Sequence, residues 1–119
     1  YSIDLIVHPE TKIDSVSMNI ARAIFSGRMK YWSDGTPVRV VMLNRDSNGH
    51  NNFCREALNI YPRQLARSWE IIVFSCGGEG PLITQSYDEL ADAVRSTKGS
   101  IGYIEKENDL EGVKVVKFK

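Results

Sequence analysis

The sequence predicts an α/β domain in three layers, an open sheet with helices on both faces, and three observations carry that prediction. Thr97-Lys98-Gly99-Ser100-Ile101-Gly102-Tyr103-Ile104 joins a helix end, a glycine stop and a short apolar strand, the corner from which open α/β sheets are built. Val38, Val40, Val41, Met42 and Leu43 form a β-branched-rich run, the composition of a strand covered on both faces. Along the rest of the chain, apolar runs of strand length alternate with stretches whose apolar residues recur at helical spacing.

Taken in order, Ile3 to Val7 is a short apolar run interrupted by Asp4, and it ends at His8-Pro9, so it reads as a strand that delivers a loop. From Ser15 onward, Val16, Ile20 and Ile24, with Ala21 and Phe25 beside them, predict a helix closed by Gly27. Ser33-Asp34-Gly35-Thr36-Pro37 is turn chemistry ahead of the Val38–Leu43 strand. Asn44 to Asn51 holds no aliphatic residue and reads as a polar loop leading to a helix start. Phe53, Ala57 and Ile60 predict a helix broken at Tyr61-Pro62. Pro62 opens the next helix, with Leu65, Trp69, Ile72 and Val73 at i, i+4, i+7 and i+8.

Cys76-Gly77-Gly78-Glu79-Gly80-Pro81 is a glycine-rich connection too short for a domain linker, and it lacks the Lys-Ser/Thr of a nucleotide-binding P-loop. Ser86 and Glu89 form a capping box for a helix carrying Leu90, Ala91 and Val94 and ending at Gly99. Ile101 to Ile104 is a strand and Val113 to Phe118 a last one. Phe25, Trp32, Trp69 and Phe74 lie within or beside apolar helical patterns and read as core. Tyr103, next to Gly102, is a candidate for a crevice wall.

Composition narrows the function. The 119 residues suit one domain, 1–119, large enough for a single core. Fifteen basic and fifteen acidic residues cancel with no run of like charge, which argues against nucleic acid or an anionic membrane as partner. No apolar run approaches the ~20 residues that span a bilayer, so no direct membrane insertion is expected. Two histidines and two cysteines, none at metal-site spacing, predict neither a metal centre nor a cofactor. Cys54 and Cys76 have two readings: a disulfide worth about 3 kcal/mol in an oxidising compartment, or two independent small buried side chains. Ser47 and Ser75 lack a hydrolase's glycine elbow, and Asp88-Glu89 suits the first turn of a helix, so no enzyme is expected.

Several segments together resemble a known family. Ala23-Ile24-Phe25-Ser26-Gly27, then Trp32-Ser33-Asp34-Gly35 ahead of the Val38–Leu43 run, and finally Thr97–Ile104, stand in the order and spacing found in the second lobe of periplasmic phosphate-binding proteins of ABC importers, the PstS-like family. Lys98 stands where that family usually has proline and Ser100 where it often has alanine. The resemblance, from Val7 to about Ile104, implies one lobe of a type II periplasmic solute-binding protein, export to the periplasm or cell envelope, and a role in phosphate transport.

In open α/β sheets ligands bind beyond the carboxyl ends of the strands, which directs attention to His8 and to Asn44-Arg45-Asp46-Ser47-Asn48-Gly49-His50-Asn51. Backbone N–H groups and short polar side chains at a helix start make an oxyanion cradle. The family's motif there has the form R-x-D-x-S-G-T. With Gly49 on the motif glycine, Asp46 falls on the aspartate, while Asn44 replaces the arginine, Asn48 the serine and His50 the threonine. The ligand-binding residues expected are therefore Arg45 for charge, Asp46 as acceptor from a protonated phosphate, Ser47, Asn48, Gly49 and His50 as donors, and His8 across the same crevice. Asp46 as a helix or turn cap, His8 and His50 as solvated loop histidines and Arg45 as a surface cation are the competing readings. At the level of function the alternative is an interaction or sensory adaptor that kept the lobe and lost the ligand. In either case a second copy or a membrane-protein complex could supply a missing wall.

Overall fold

In the computed structural model, which describes residues 3–76 (without the Cys76 side chain), 80–105 and 112–118, six strands form one mixed sheet. They are β1 (Ile3–Val7), β2 (Ser15–Val16), β3 (Arg39–Leu43), β4 (Leu82–Thr84), β5 (Ser100–Glu105) and β6 (Lys114–Phe118), ordered β2-β6-β1-β5-β3-β4. The central strand β1 runs antiparallel to both its neighbours, β5 and β6, whereas β3 runs parallel to β5 and to β4. Leu5, Ile6 and Val7 are all fully buried, which requires cover on both faces.

That cover comes from four helices: α1 (Met18–Phe25), α2 (Asn48–Asn52), α3 (Pro62–Cys76) and α4 (Tyr87–Ser96). Alternation along β5 separates the layers. Gly102 faces α4, where a Cβ would come within 2.5 Å of Leu90 and 3.2 Å of Val94. Tyr103 faces the other way, stacked on Phe53 at 3.9 Å between ring centroids, with Phe25 of α1 set edge-on to Phe53 at 4.8 Å. The three-layer α/β architecture expected from the sequence is thus the one observed.

Local chemistry explains most element boundaries. Ser17 Oγ accepts the Ile20 N–H at 3.2 Å and starts α1 at Met18, so Ser15 and Val16, expected inside that helix, instead pair with β6 as β2. At the far end of α1, α3 supplies partners for the last carbonyls: Trp69 Nε1 donates to Phe25 at 2.7 Å and Ser68 Oγ to Ser26 at 2.7 Å. The helix expected around Phe53, Ala57 and Ile60 is α2 continued by one π-helical turn, Phe53–Ala57. It stops at Asn59, whose φ of +55° is left-handed. The wider turn keeps Phe53, Cys54, Ala57 and Leu58 all buried. The capping box at α4 is present in modified form: Ser86 Oγ accepts the Glu89 N–H at 3.1 Å, while Glu89 Oε2 reaches back to the Gln85 N–H at 2.8 Å.

Phe25 and Trp32 are core residues as expected and Trp69 is partly buried, but Phe74 is 88% exposed on the outer side of α3. Cys54 is a free, buried thiol. The Gly77-Gly78-Glu79 part of the glycine-rich connection lies outside the described residues.

The corner at Gly99 ties Trp32 and the first residue of β3, Arg39, to the start of β5. Its carbonyl accepts the Arg39 N–H at 3.0 Å and the buried Trp32 indole N–H at 2.8 Å. Its φ is +82°, and a Cβ there would run into the Pro37 backbone carbonyl. Gly99→Ala should therefore lower unfolding stability by about 2 to 4 kcal/mol, from left-handed strain plus a backbone clash. Urea denaturation of the variant checks this, and a loss under about 0.5 kcal/mol would contradict it.

Candidate functional site

The strands β3 and β4 are adjacent and parallel, but the chain leaves them toward opposite faces, through α2 and α3 after β3 and through α4 after β4. A crevice opens between two such diverging connections, at the carboxyl ends of the strands. Its walls are the loop Asn44–Ser47 and the segment Gln85-Ser86-Tyr87. The Asn44 N–H donates to the Thr84 carbonyl at 2.8 Å, and its side-chain Nδ2 donates to Gln85 Oε1 at 2.9 Å, which ties the two walls together at their base.

Within the loop the polar side chains mostly serve the backbone. Asn44 Oδ1 accepts the Asp46 N–H at 3.0 Å and the Asn44 carbonyl accepts the Ser47 N–H at 3.0 Å, a turn that Asn chemistry favours. Ser47 Oγ caps α2 by accepting the His50 N–H at 3.1 Å, and the Ser47 carbonyl accepts the Asn51 N–H at 3.2 Å. The N–H groups of Asn48 and Gly49 are left as first-turn donors without an acceptor among the described residues. Gly49 is required for space: a Cβ there would be 2.5 Å from Tyr87 Oη and 2.9 Å from Leu43 Cδ1. Arg45 and Asp46 are exposed beside this turn.

His50 and His8 do not stand where the sequence reading put them. His50 is 3% exposed and turned into the core. Its Nδ1 is 2.8 Å from Tyr103 Oη, and its Nε2 is 3.6 Å from Cys54 Sγ. Tyr103 Oη already accepts the Leu43 N–H at 2.9 Å, so its own proton goes to Nδ1 and the imidazole is the Nε2–H tautomer. Burial, reinforced by the positive charge of Arg45, pushes the His50 pKa below its ordinary 6.5, and burial pushes the Cys54 thiol up to about 12. A neutral ring with both nitrogens engaged in the core does not donate to an anion in the loop.

His8 fails for a topological reason. Because β1 is antiparallel to β5, its carboxyl end meets the beginning of β5, with Val7 opposite Ile101. There the His8 N–H donates to the Ser100 carbonyl at 3.3 Å, and its Nδ1 accepts the Glu10 N–H at 3.2 Å. Ser100 is in turn the partner of Arg39, the first residue of β3, so His8 is separated from the Asn44 loop by the length of β3, about 15 Å.

Two tyrosines also bear on the crevice, Tyr103, expected as a wall, and Tyr87, which sequence reasoning missed. Tyr103 is fully buried beneath the loop instead of lining a wall. Tyr87 leans over Gly49 with a buried hydroxyl, and burial, then the nearby Glu105 carboxylate, push its pKa up to about 12. The signal for Tyr87 was its place beside the Ser86 cap, at the end of a strand too short to stand out. A groove of about 270 Å³ between α3 and the β3–β4 edge is lined mainly by apolar residues, Met42, Leu65, Trp69, Val73, Phe74 and Ile83, with Arg45, His50 and Glu70 also at its wall. Such an apolar wall does not replace the hydration of an oxyanion.

The His50 arrangement makes stability depend on pH. The unfolded chain, with its imidazole near 6.5, binds a proton before the folded chain does. Stability is therefore undiminished above pH 6.5 and falls as pH drops below it toward the lowered folded value, by at most about 1.4 kcal/mol per pH unit from this group. His50→Asn, which removes the titration, should flatten the dependence of the urea midpoint between pH 7.5 and 5.5. An unchanged slope would assign it to other groups.

No protein-family model matches the sequence, and no curated protein matches it. Solved structures do. A protein described as a phosphate ABC transporter substrate-binding protein with bound phosphate, from Clostridium perfringens, superposes with a TM-score of 0.79 at 19% identity, over 98% of this chain and 44% of its own. An ABC-type phosphate transport receptor from Vibrio cholerae gives 0.78 at 13% identity, over 98% and 46%. PstS from Borrelia burgdorferi gives 0.77 at 18%, over 99% and 47%. The chain spans less than half the length of each of these proteins. In fold, this mixed six-stranded α/β sheet with its four helices is PstS-like, a single lobe of the kind found in phosphate-transport substrate-binding proteins.

Proposed function

We propose that this chain is an exported, non-catalytic domain that binds phosphate or a similar small oxyanion at the β3–β4 crevice, and that it is related to ABC phosphate import. The observation that supports this most is the pair of free N–H groups at Asn48 and Gly49, presented at the switch point of the sheet with the exposed Arg45 guanidinium beside them. The bound phosphate named for the Clostridium perfringens structure, on the same fold, points to the same ligand class. Arg45 would supply the positive charge that Asn44 lacks, and Asp46 would accept from a protonated phosphate oxygen, selecting against fully ionised sulfate. Ser47 would hold the cradle as the helix cap, and His50 would brace it from within the core. No helix among the described residues is long and apolar enough to cross a membrane.

A second reading, an adaptor without a ligand, is favoured by the three substituted motif positions, Asn44, Asn48 and His50.

Calorimetric titration separates the two. Saturable phosphate binding with Kd below about 1 mM, weaker for sulfate and lost in Arg45→Ala, is the expected result. Asp46→Asn should narrow the preference for phosphate over sulfate. Absence of heat with phosphate at millimolar concentration would overturn the oxyanion reading in favour of the adaptor.

A further inference from the structure

The outer face of α3 is complementary to itself. Arg63, Ala66, Arg67, Glu70, Ile71 and Phe74 border, together with Arg45 and Ser75, one surface depression, and these six fall within an arc of about 140° around the helix. Ile71 is 55% and Phe74 88% exposed, more apolar surface than an outward helix face needs to show. Among the described residues, Arg63, Arg67 and Glu70 form no ion pair within the chain. The opposite side of the same helix is committed to the fold through Leu65, Ser68 and Trp69.

We propose that α3 pairs antiparallel with α3 of a second copy of this chain about a two-fold axis between residues 68 and 69. A two-fold contact requires that residue i meet j while j meets i. With that axis, Arg67 meets Glu70 of the second copy and Glu70 meets its Arg67, giving two opposite-charge pairs at the centre. Ile71 packs over the small side chain of Ala66, and the Arg63 guanidinium lies on the Phe74 ring, each twice. One register therefore satisfies both signs of charge and both exposed apolar groups, which a membrane surface or a uniformly acidic partner would not, since Glu70 would repel either. A single helix pair buries area at the low end of specific interfaces, so the expected dimer dissociates at about 10 to 100 µM.

Sedimentation equilibrium of the chain from about 1 to 500 µM tests this, with circular dichroism of each variant to verify folding. Arg67→Glu alone and Glu70→Arg alone should each weaken the dimer at least about tenfold, by placing like charges in contact. The double variant R67E/E70R, which restores opposite signs in the same register, should recover the wild-type constant, and Phe74→Ala should weaken it. A wild-type chain that stays monomeric at the highest concentration, single reversals without effect, or a double variant that fails to recover dimerisation would each overturn the proposal.

Discussion

The hydroxyl of Tyr103 is the junction on which the domain's two halves depend. It accepts the Leu43 N–H at the end of β3 and donates to His50 of α2, so that a sheet edge and the helix that follows it are held by one buried oxygen. The ring below is stacked on Phe53 and near Phe25, which makes the bridge rigid. Leaving Leu43 and His50 unsatisfied in this environment would cost about 1 to 3 kcal/mol each. The Asn44 loop is consequently pinned at both ends, by β3 pairing and by His50. Between those pins its conformation is set by its own Asn44 turn and Ser47 cap.

Reversal of one strand organises the rest. With β1 antiparallel to β5, the connections at the two ends of the sheet are of different kinds: one end collects the start of β3, His8 and the Gly99 corner, the other collects the loops after β3 and β4. The second has the diverging connections and, among the described residues, the Asn48 and Gly49 N–H groups without an acceptor. The Gly99 end spends its polar groups internally, on Arg39, Trp32 and Ser100.

How much of this was legible follows from the range of the forces involved. The strands β1, β3, β5 and β6, the helices α3 and α4 and the Gly99 corner are set by burial period, caps and φ preference, all local signals. Ser15–Val16 and Leu82–Thr84 were not legible, since strands of two and three residues carry no period and exist through pairing with β6 and β3. The π-helical turn, with buried Phe53, Cys54, Ala57 and Leu58 on either side of exposed Arg55 and Glu56, is equally silent in the sequence. For the candidate site, the loop 44–49 was readable because a polar stretch after a buried strand has few other uses. Direction was not: nothing in Ile3–Val7 states that β1 runs against β5, and the misplacement of His8 follows from that alone. Nor does a histidine in a polar stretch reveal that Tyr103, 53 residues later, will draw it inward.

With His50 withdrawn, the affinity available to an oxyanion can be bounded. Two backbone N–H groups and one guanidinium make charge-assisted hydrogen bonds worth about 1.5 to 3 kcal/mol each. Three such contacts give about 5 to 9 kcal/mol, a range that runs from millimolar to below micromolar. Which end applies depends on water: an exposed Arg45 in high dielectric is worth the lower figure, and closing a second wall over the crevice moves it toward the higher. On the proposed reading the crevice alone would be a half-site in the energetic sense, choosing an anion by the geometry of Asn48 and Gly49 without holding it tightly. Arg45 borders the same depression as the outward face of α3, so self-association there would reach the Arg45 side of the crevice. A wall for the ligand, where one exists, must come from a surface that meets Gln85, Ser86 and Tyr87 across from Arg45.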